Sequence, residues 1–273
     1  MLANKRLDAE IFLGSLKMAY GYDFEHYAKA SLNRRLQALK KHYKVNYLTD
    51  LITLLVNDRN VAEHVVSLIT VPASNFFRDP EVWQTLREKV IPKLASYPFI
   101  NIWQSGCSNG EETYSLQILL HESGLMNKVR LIVSDINPAL IAKAKTGAFS
   151  KPTIEEGAHN YALAGGKEDF YSYFNKADGE YIVVEPLRQH LEFFAHNLAA
   201  DQSFIEANLI VCRNVLIYFD SSLQDRVVQL FNQSLARGGY LVLGNTESIE
   251  YDKYELTAED ETLRVFSKPV RSR

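Results

Sequence analysis

The chain has 273 residues, 47% hydrophobic and 23% charged, with 13 glycines and 8 prolines, a composition of packed globular protein that excludes collagen, a disulfide framework and bulk disorder. Thirty basic against 33 acidic side chains leave a net charge of −3, which excludes coating of nucleic acid through overall charge and confines any basic surface to a local patch. Residues 1–10 are polar, no window approaches the roughly 18 apolar residues of a membrane span, and Cys107 and Cys212 are too few for a structural zinc site; we read a cytoplasmic chain with reduced thiols, no bound metal and no membrane insertion.

Residues 1–69 read as a small all-helical domain. Apolar residues Ile11, Phe12, Leu16 and Ala19, then Leu32, Leu36 and Leu39, then Leu48, Leu51, Ile52, Leu54 and Leu55 recur near helical spacing. This region is basic, with ten Lys and Arg against seven Asp and Glu. Between residues 26 and 48 stand Lys29, Arg34, Arg35, Lys40, Lys41 and Lys44 without one acidic residue. A helix there presents a cationic face, which is either simply solvated or a dock for an acidic partner.

A linking segment, 70–98, leads to a region of different character, 99–273. Short β-rich runs at Phe99–Gln104, Leu131–Ser134, Leu191–Ala195, Leu209–Cys212 and Tyr240–Gly244 alternate with helical stretches at Glu111–Ser123, Pro138–Thr146 and Ser221–Ala236. We expect Gly238-Gly239 to stop the last of these helices. The alternation predicts an α/β fold with a parallel, doubly wound sheet. Tyr254–Thr257 and Thr262–Ser267, around the acidic turn Glu259-Asp260-Glu261, predict an antiparallel edge hairpin. Residues 148–190 interrupt the pattern with Gly165-Gly166 and Asp178-Gly179 turns, and their length predicts an inserted subdomain of a helix and a small β-hairpin rather than a structureless loop.

Ligands of open α/β sheets bind beyond the carboxyl ends of the strands, so the residues after each strand are the candidate site. Ser105-Gly106-Cys107-Ser108-Asn109-Gly110 opens a helix without the GxGxxG spacing of a dinucleotide site. Asp135 follows the second strand, where a carboxylate accepts hydrogen bonds from ribose hydroxyls; it competes with a helix-capping role, for which Asn137-Pro138 also qualifies. Asn197-Leu198 and Arg213-Asn214-Val215 follow the next two strands. No Walker lysine accompanies the glycine turn, so a nucleoside without phosphates, S-adenosylmethionine in particular, fits better than a nucleotide.

Asn75-Phe76-Phe77-Arg78-Asp79, Gly106-Cys107-Ser108-Asn109-Gly110-Glu111-Glu112-Thr113-Tyr114-Ser115, Ser134-Asp135-Ile136, Asn197-Leu198 and Cys212-Arg213-Asn214-Val215-Leu216-Ile217-Tyr218-Phe219 resemble, in order and spacing, the chemoreceptor glutamate O-methyltransferases of the CheR family. The resemblance extends to Gly21-Tyr22-Asp23-Phe24 and to Leu243-Gly244-Asn245-Thr246-Glu247-Ser248. It implies a class I methyltransferase domain that takes S-adenosyl-L-methionine, releases S-adenosyl-L-homocysteine and esterifies glutamates on the cytoplasmic methylation helices of chemoreceptors. The implied cofactor contacts are Ser74, Arg78, Gly106, Glu112, Asp135, Asn197, Leu198, Asn214 and Val215, with segment 70–98 supplying part of the cofactor site. Arg78 and Tyr218 are the implied catalytic residues. The cationic helix becomes a receptor dock through Arg34, Arg35, Lys29 and Lys41, on a chain expected to be a monomer.

Thr70-Val71-Pro72-Ala73-Ser74 departs from the family's usual Thr-Asn-x-Thr, and Pro72 lacks both the amide side chain and the backbone donor of the asparagine it replaces. That departure raises the alternative of a cofactor-binding docking module with weakened catalysis. Asn109 and Thr113 also differ from the family pattern, at positions where backbone approach rests mainly on the glycines. The loop Asn175–Glu180 is about three residues shorter than in relatives that grip a receptor's C-terminal pentapeptide, which implies independence of that peptide. A carboxylate nucleophile needs no strong base, in accord with the lack of any triad. A nucleic-acid or small-molecule methyltransferase is disfavoured by charge and by the lack of an amino-methylation tetrapeptide after the fourth strand.

Overall fold

The computed structural model describes residues 2–70 and 73–270. Helices α1 (Leu2–Tyr20), α2 (Lys29–Tyr43), α3 (Ile52–Asn57) and α4 (Arg59–Ile69) form the N-terminal region. Leu32, Leu36 and Leu39 fall on one side of α2 and enter a core with Phe12, Leu16, Leu48, Leu51, Leu55, Val65 and Val66. Burying that stripe turns Arg34 and Lys41 outward. The seam of α1 runs through Phe12 and Leu16, whereas Ile11, Ala19 and Leu54, expected inside, are exposed. Asp8 joins α1 to the turn before α3, accepting from the backbone N–H groups of Leu48 and Thr49 at 3.0 Å each.

A connector of α5 (Pro80–Thr85), one π-helical turn and α6 (Ile91–Leu94) leads into β1 (Ile100–Ser105). There follow α7 (Glu111–Glu122), β2 (Val129–Asp135), α8 (Pro138–Thr146), β3 (Ala148–Phe149), α9 (Lys151–Leu163), β4 (Phe174–Ala177), β5 (Glu180–Val183), β6 (Leu191–Ala195), β7 (Ala207–Cys212), α10 (Ser221–Ser234), β8 (Leu235–Leu243), β9 (Thr257–Asp260) and β10 (Val265–Ser267). Seven strands make the main sheet in the order β6-β2-β1-β7-β8-β10-β9. The first five are parallel, and β10 enters antiparallel between β8 and β9. The chain builds outward from β1 to one side, then restarts at β7 on the other. The strand-end crevice at this switch point is where an open α/β sheet takes its ligand.

Alternate residues of the central strands serve two cores. Ile102, Leu131, Val133, Leu209 and Val211 face one layer; Trp103, Ile132, Ile210 and Leu241 face the other, against Val227 and Phe231 of α10. Burial on both faces explains why these strands read as continuous apolar runs.

Three details differ from the sequence expectation. Helix α10 ends at Ser234 and the chain passes directly into β8, so Gly238 and Gly239 lie inside a strand, beside a register shift in the β7–β8 ladder. A Cβ on Gly239 would stand 2.8 Å from the Ala236 carbonyl oxygen, so the pair serves a backbone crowd rather than a helix end. The edge hairpin begins at Thr257, after a short turn at Tyr251–Tyr254. Glu259 and Asp260 therefore belong to the strand, where they meet Lys93 and Lys89, and the reversal falls at 261–264.

The insertion holds α9 and a three-stranded sheet ordered β3-β5-β4. Asp178 and Gly179 form its two-residue reversal with φ of +50° and +83°, as a tight hairpin requires. Phe76, fully buried, stacks edge-on against Phe149, Phe170 and Phe174 at 4.8 to 5.6 Å between centroids, so the segment after residue 72 is the peg that seats the insertion. Phe76→Ala should destabilise the chain by about 3–5 kcal/mol, read as a lowered denaturant midpoint; a shift below about 1 kcal/mol would contradict this packing.

Candidate cofactor-binding and active site

A cavity opens beyond the carboxyl ends of β1, β2, β6 and β7, lined by the loops that follow them and roofed by residues of α2 and α4. Its floor is a close approach of two loops. Gly106, at φ +79°, lies so near Val215 that a Cβ there would sit 2.5 Å from Val215 Cγ2, and the N–H groups of Gly106 and Cys107 donate to the Ser134 carbonyl. Only glycine satisfies both the left-handed backbone and that contact.

Asp135 is buried at the tip of β2. Its carboxylate accepts from the backbone N–H groups of Ser108 and Asn137, both at 2.9 Å. The capping of α8 falls to Asn137, whose side chain accepts from the N–H groups of Ala139 and Leu140. Asp135 is thus an oriented acid on the cavity wall. Burial pushes its carboxyl above the usual range, against the downward pull of the Ser108, Asn137 and Ile136 N–H groups.

After β7 the chain turns sharply at Asn214, φ +59°. Glu247 fixes this turn: its buried carboxylate accepts from the N–H groups of Gly244 (2.5 Å), Asn214 (3.1 Å) and Leu216 (2.7 Å). The side chain of Arg213 is fully buried and donates to Glu112 at 2.8 Å, to Asp79 at 2.6 Å and to the Arg78 carbonyl at 3.0 Å. These bonds hold the loop before α5, where Phe77 and Asp79 are left-handed at φ +48° and +53°.

Gly106, Asp135, Asn197, Leu198, Asn214, Val215 and Tyr218 all line the cavity. Ser74, Arg78 and Glu112 do not. Glu112 is buried and turned to Arg213 and Gln104, so its carboxylate is engaged by the scaffold and stands outside the cavity lining. Ser74 stands near the Glu111 carboxyl instead. Arg78 is half-buried beside the wall, its carbonyl accepting from Trp83 and Arg213, while its side chain makes no ion pair with a described residue. Asn197 donates its amide to the Gly21 carbonyl at 3.1 Å, tying the β6 loop to the helical region. Pro72 lies outside the described residues. On α2, Lys29, Arg34 and Lys41 are exposed, whereas Arg35 is half-buried with its Nε enclosed, so it belongs less to the outward face than expected.

Sequence reasoning missed Tyr27, Ser31 and Leu32, which bring the helical region into the cavity wall, and it missed Arg213 and Glu247 as the residues that shape the loops. Tyr27 precedes the basic stretch and carries no periodicity of its own; an isolated tyrosine beside a helix start gives no sign of the strand loop it will meet.

The donor set suits a phosphate-free nucleoside. It offers an acid, side-chain amides and the buried Ser108 hydroxyl, which has no partner among the described residues. Among the described residues the one guanidinium in the lining, Arg213, is already matched by Glu112 and Asp79, which leaves no free Lys or Arg among them for phosphate. Sheet order, switch point and donors define a class I S-adenosylmethionine-dependent methyltransferase. Residues 73–264 match the family model described as CheR methyltransferase, SAM binding domain, and residues 8–70 match CheR methyltransferase, all-alpha domain. A Pseudomonas putida KT2440 protein that carries the name Cher3 is 38% identical over 251 residues, covering 92% of each chain. The chemotaxis protein methyltransferase of Listeria monocytogenes EGD-e is 30% identical, and chemotaxis protein methyltransferase 1 of Pseudomonas aeruginosa PAO1 is 26% identical, each over 91% of this chain and 93% of the relative. The chain belongs to the CheR methyltransferase family, and S-adenosylmethionine is its cofactor. No helix among the described residues is long and apolar enough to cross a membrane.

Two outcomes follow from the charges around the cavity. Arg213→Met leaves the buried Glu112 and the half-buried Asp79 without their partner and should cost about 3–5 kcal/mol; adding Glu112→Gln and Asp79→Asn should recover part of that loss in denaturant titrations. Glu111 at the start of α7 is pushed up to about 7 by burial, against its own N–H, the charge of Lys143 and the Ser74 hydroxyl. An acid raised in the folded state binds its proton more tightly there than in the unfolded chain, so stability falls as pH rises from about 4.5 to about 7 and stays reduced above it. Glu111→Gln should remove that decline and raise stability at pH 8 by roughly 2–3 kcal/mol, with little change at pH 4; equal melting curves of variant and parent at pH 8 would refute it.

Proposed function

We propose that the protein transfers the methyl group of S-adenosylmethionine to glutamate side chains on the cytoplasmic helices of chemoreceptors, forming methyl esters. The observation that carries this reading is the anchoring of Arg78 to the cavity wall: its carbonyl accepts from Arg213, which lines the cavity, and its half-buried side chain makes no ion pair with a described residue. The names of the relatives, chemotaxis protein methyltransferases, agree with a chemosensory substrate.

When bound, S-adenosylmethionine supplies a methyl group on a positively charged sulfur. The glutamate to be modified is ionised at neutral pH and is already a nucleophile, so the protein has to position rather than deprotonate. Asp135 and the amides of Asn197 and Asn214 would hold the nucleoside, with Gly106, Leu198 and Val215 shaping its bed. Arg78 would receive the incoming carboxylate with a bidentate fork, and Tyr218, half-buried on the turn after Asn214, would fix the second oxygen or narrow the approach. In-line placement of oxygen, methyl carbon and sulfur supplies several kcal/mol of barrier reduction. Over-tight pairing would weaken the nucleophile, which favours a guanidinium at the rim over one buried beneath it.

The outward face of α2, with Arg34 and Lys41 one above the other and Lys29 at the first turn, supports docking of a glutamate-rich helix. The two-residue reversal at Asp178-Gly179 leaves the insertion without a long loop at that corner, which supports a receptor interaction independent of a C-terminal pentapeptide.

Incubation with labelled S-adenosylmethionine and a receptor methylation-helix fragment should give a base-labile product that releases methanol. Arg78→Ala should lower kcat/KM on the order of 100-fold. Arg34→Ala with Lys41→Ala should raise the receptor KM about 3–10-fold at low salt, an effect that fades as salt screens the pair. A base-stable product would point to another acceptor, and binding of S-adenosylhomocysteine without any transfer would favour a docking module.

A further inference from the structure

We propose that Tyr27, supplied by the helical region, is a cofactor-contacting residue, and that the strand bridge on which it stands is a clasp that must part before the cofactor can exchange. This rests on the cavity being the S-adenosylmethionine site.

Tyr27 lines the cavity together with Asp135, although 108 residues separate the two in sequence. Its backbone pairs with Phe219 in an isolated antiparallel bridge. The Ala28 N–H donates to the Tyr218 carbonyl at 2.7 Å, and the Asp220 N–H donates to the His26 carbonyl at 2.8 Å. The Tyr27 ring is wedged edge-on between Phe24, at 4.9 Å, and Phe219, at 5.1 Å. Such contacts fix where the ring sits but leave its polar tip unused: the hydroxyl has no hydrogen bond to a described residue. A tyrosine wedged this tightly usually finds a partner for its hydroxyl. The group that fills the cavity is the partner the geometry offers. Burial, the charge of Asp135 and that of Asp23 all push the phenol above its ordinary range, so it stays a neutral donor.

One step along the chain, Ser31 and Leu32 of α2 continue the same wall. The clasp thus closes the crevice with material from outside the α/β fold. Its hydrogen bond to the Tyr218 carbonyl runs to the turn on which the proposed catalytic tyrosine stands.

The clasp can be opened at one bond and its hydroxyl contact removed at another. Ala28 has φ −56° and ψ 111° and precedes α2, a conformation that proline accepts, and Tyr27 before it is extended, as a residue preceding proline must be. Ala28→Pro therefore keeps the local backbone conformation but removes the N–H that bonds Tyr218 and sets the ring Cδ against that carbonyl, which forces the bridge apart at this point. Tyr27→Phe keeps the ring packing and deletes only the hydroxyl.

The test is S-adenosylhomocysteine binding by calorimetry and its release by stopped flow, on the full chain and both variants, with melting temperatures as the control for folding. Tyr27→Phe should raise Kd about tenfold, the worth of one hydrogen bond in an enclosed site, with the melting temperature of the unliganded chain unchanged. Ala28→Pro should speed release about 3–10-fold. If both variants bind and release the ligand as the parent does, the clasp is packing alone and the proposal is overturned. If the parent chain binds no S-adenosylhomocysteine, the cofactor assignment falls and carries this proposal with it, an outcome that a shifted Kd cannot imitate.

Discussion

A single buried cation organises the active region. Arg213 stands at the end of β7 with its side chain shielded from water, and charge taken out of water costs several kcal/mol unless it is matched. Here it is matched by Glu112 from the first turn of α7, by Asp79 from the loop before α5 and by the carbonyl of Arg78, with the Trp83 ring 5.8 Å away. Three elements distant in sequence are thereby locked to one point. Non-glycine residues with positive φ cost about 1–2 kcal/mol apiece, and Phe77, Asp79 and Asn214 all adopt such backbones around this centre. The bonds of Arg213 and Glu247 offset that strain and fix the loops, including the one that carries Arg78.

Much of the chemistry of the site is spent on building it. Glu112, Asp135 and Glu247 are three acids close to the cavity, yet two of them act on the protein itself: Glu112 on a guanidinium, Glu247 on the backbone N–H groups of Gly244, Asn214 and Leu216. Asp135 does both, since two backbone donors orient it while it remains on the wall. Both thiols are buried, and burial pushes each well above the ordinary thiol range, which disfavours the thiolate form.

The strands were legible in the residues because a sheet buried on both faces must be apolar throughout, and β6 and α8 fall where the pattern puts them. The end of α10 was not, since nothing local distinguishes a glycine pair that stops a helix from one that lets two backbones approach inside a strand. The difference lies in Ala207 and Asn208, thirty residues away, whose carbonyls crowd Gly239. The same limit applies to the site. Gly106, Asp135 and Asn214 follow strands, a position that can be read along the chain. Tyr27 and Arg213 owe their roles to contacts with residues some 190 and 100 positions distant, which no periodicity encodes.

On the proposed reading helix α2 serves both the cavity and a docked partner, and this constrains how the two ends of the reaction communicate. Ser31 and Leu32 line the cavity, while Arg34 and Lys41 on the same few turns face solvent. A helix is stiff over such a length, so a partner that shifts the outer face moves the inner one with it. Because coupling free energies are reciprocal, on the proposed reading a cofactor that draws Tyr27 and α2 onto the sheet would favour docking at the cationic face to the same degree that docking favours the closed cavity. A receptor helix engaged on Arg34 and Lys41 would then slow the departure of the donor until its methyl is spent. The exchange of spent for fresh cofactor would be quickest in the undocked protein. The small bridge between Tyr27 and Phe219 is where the two requirements meet, because it is the backbone link between the region that carries the basic face and the turn that carries Tyr218.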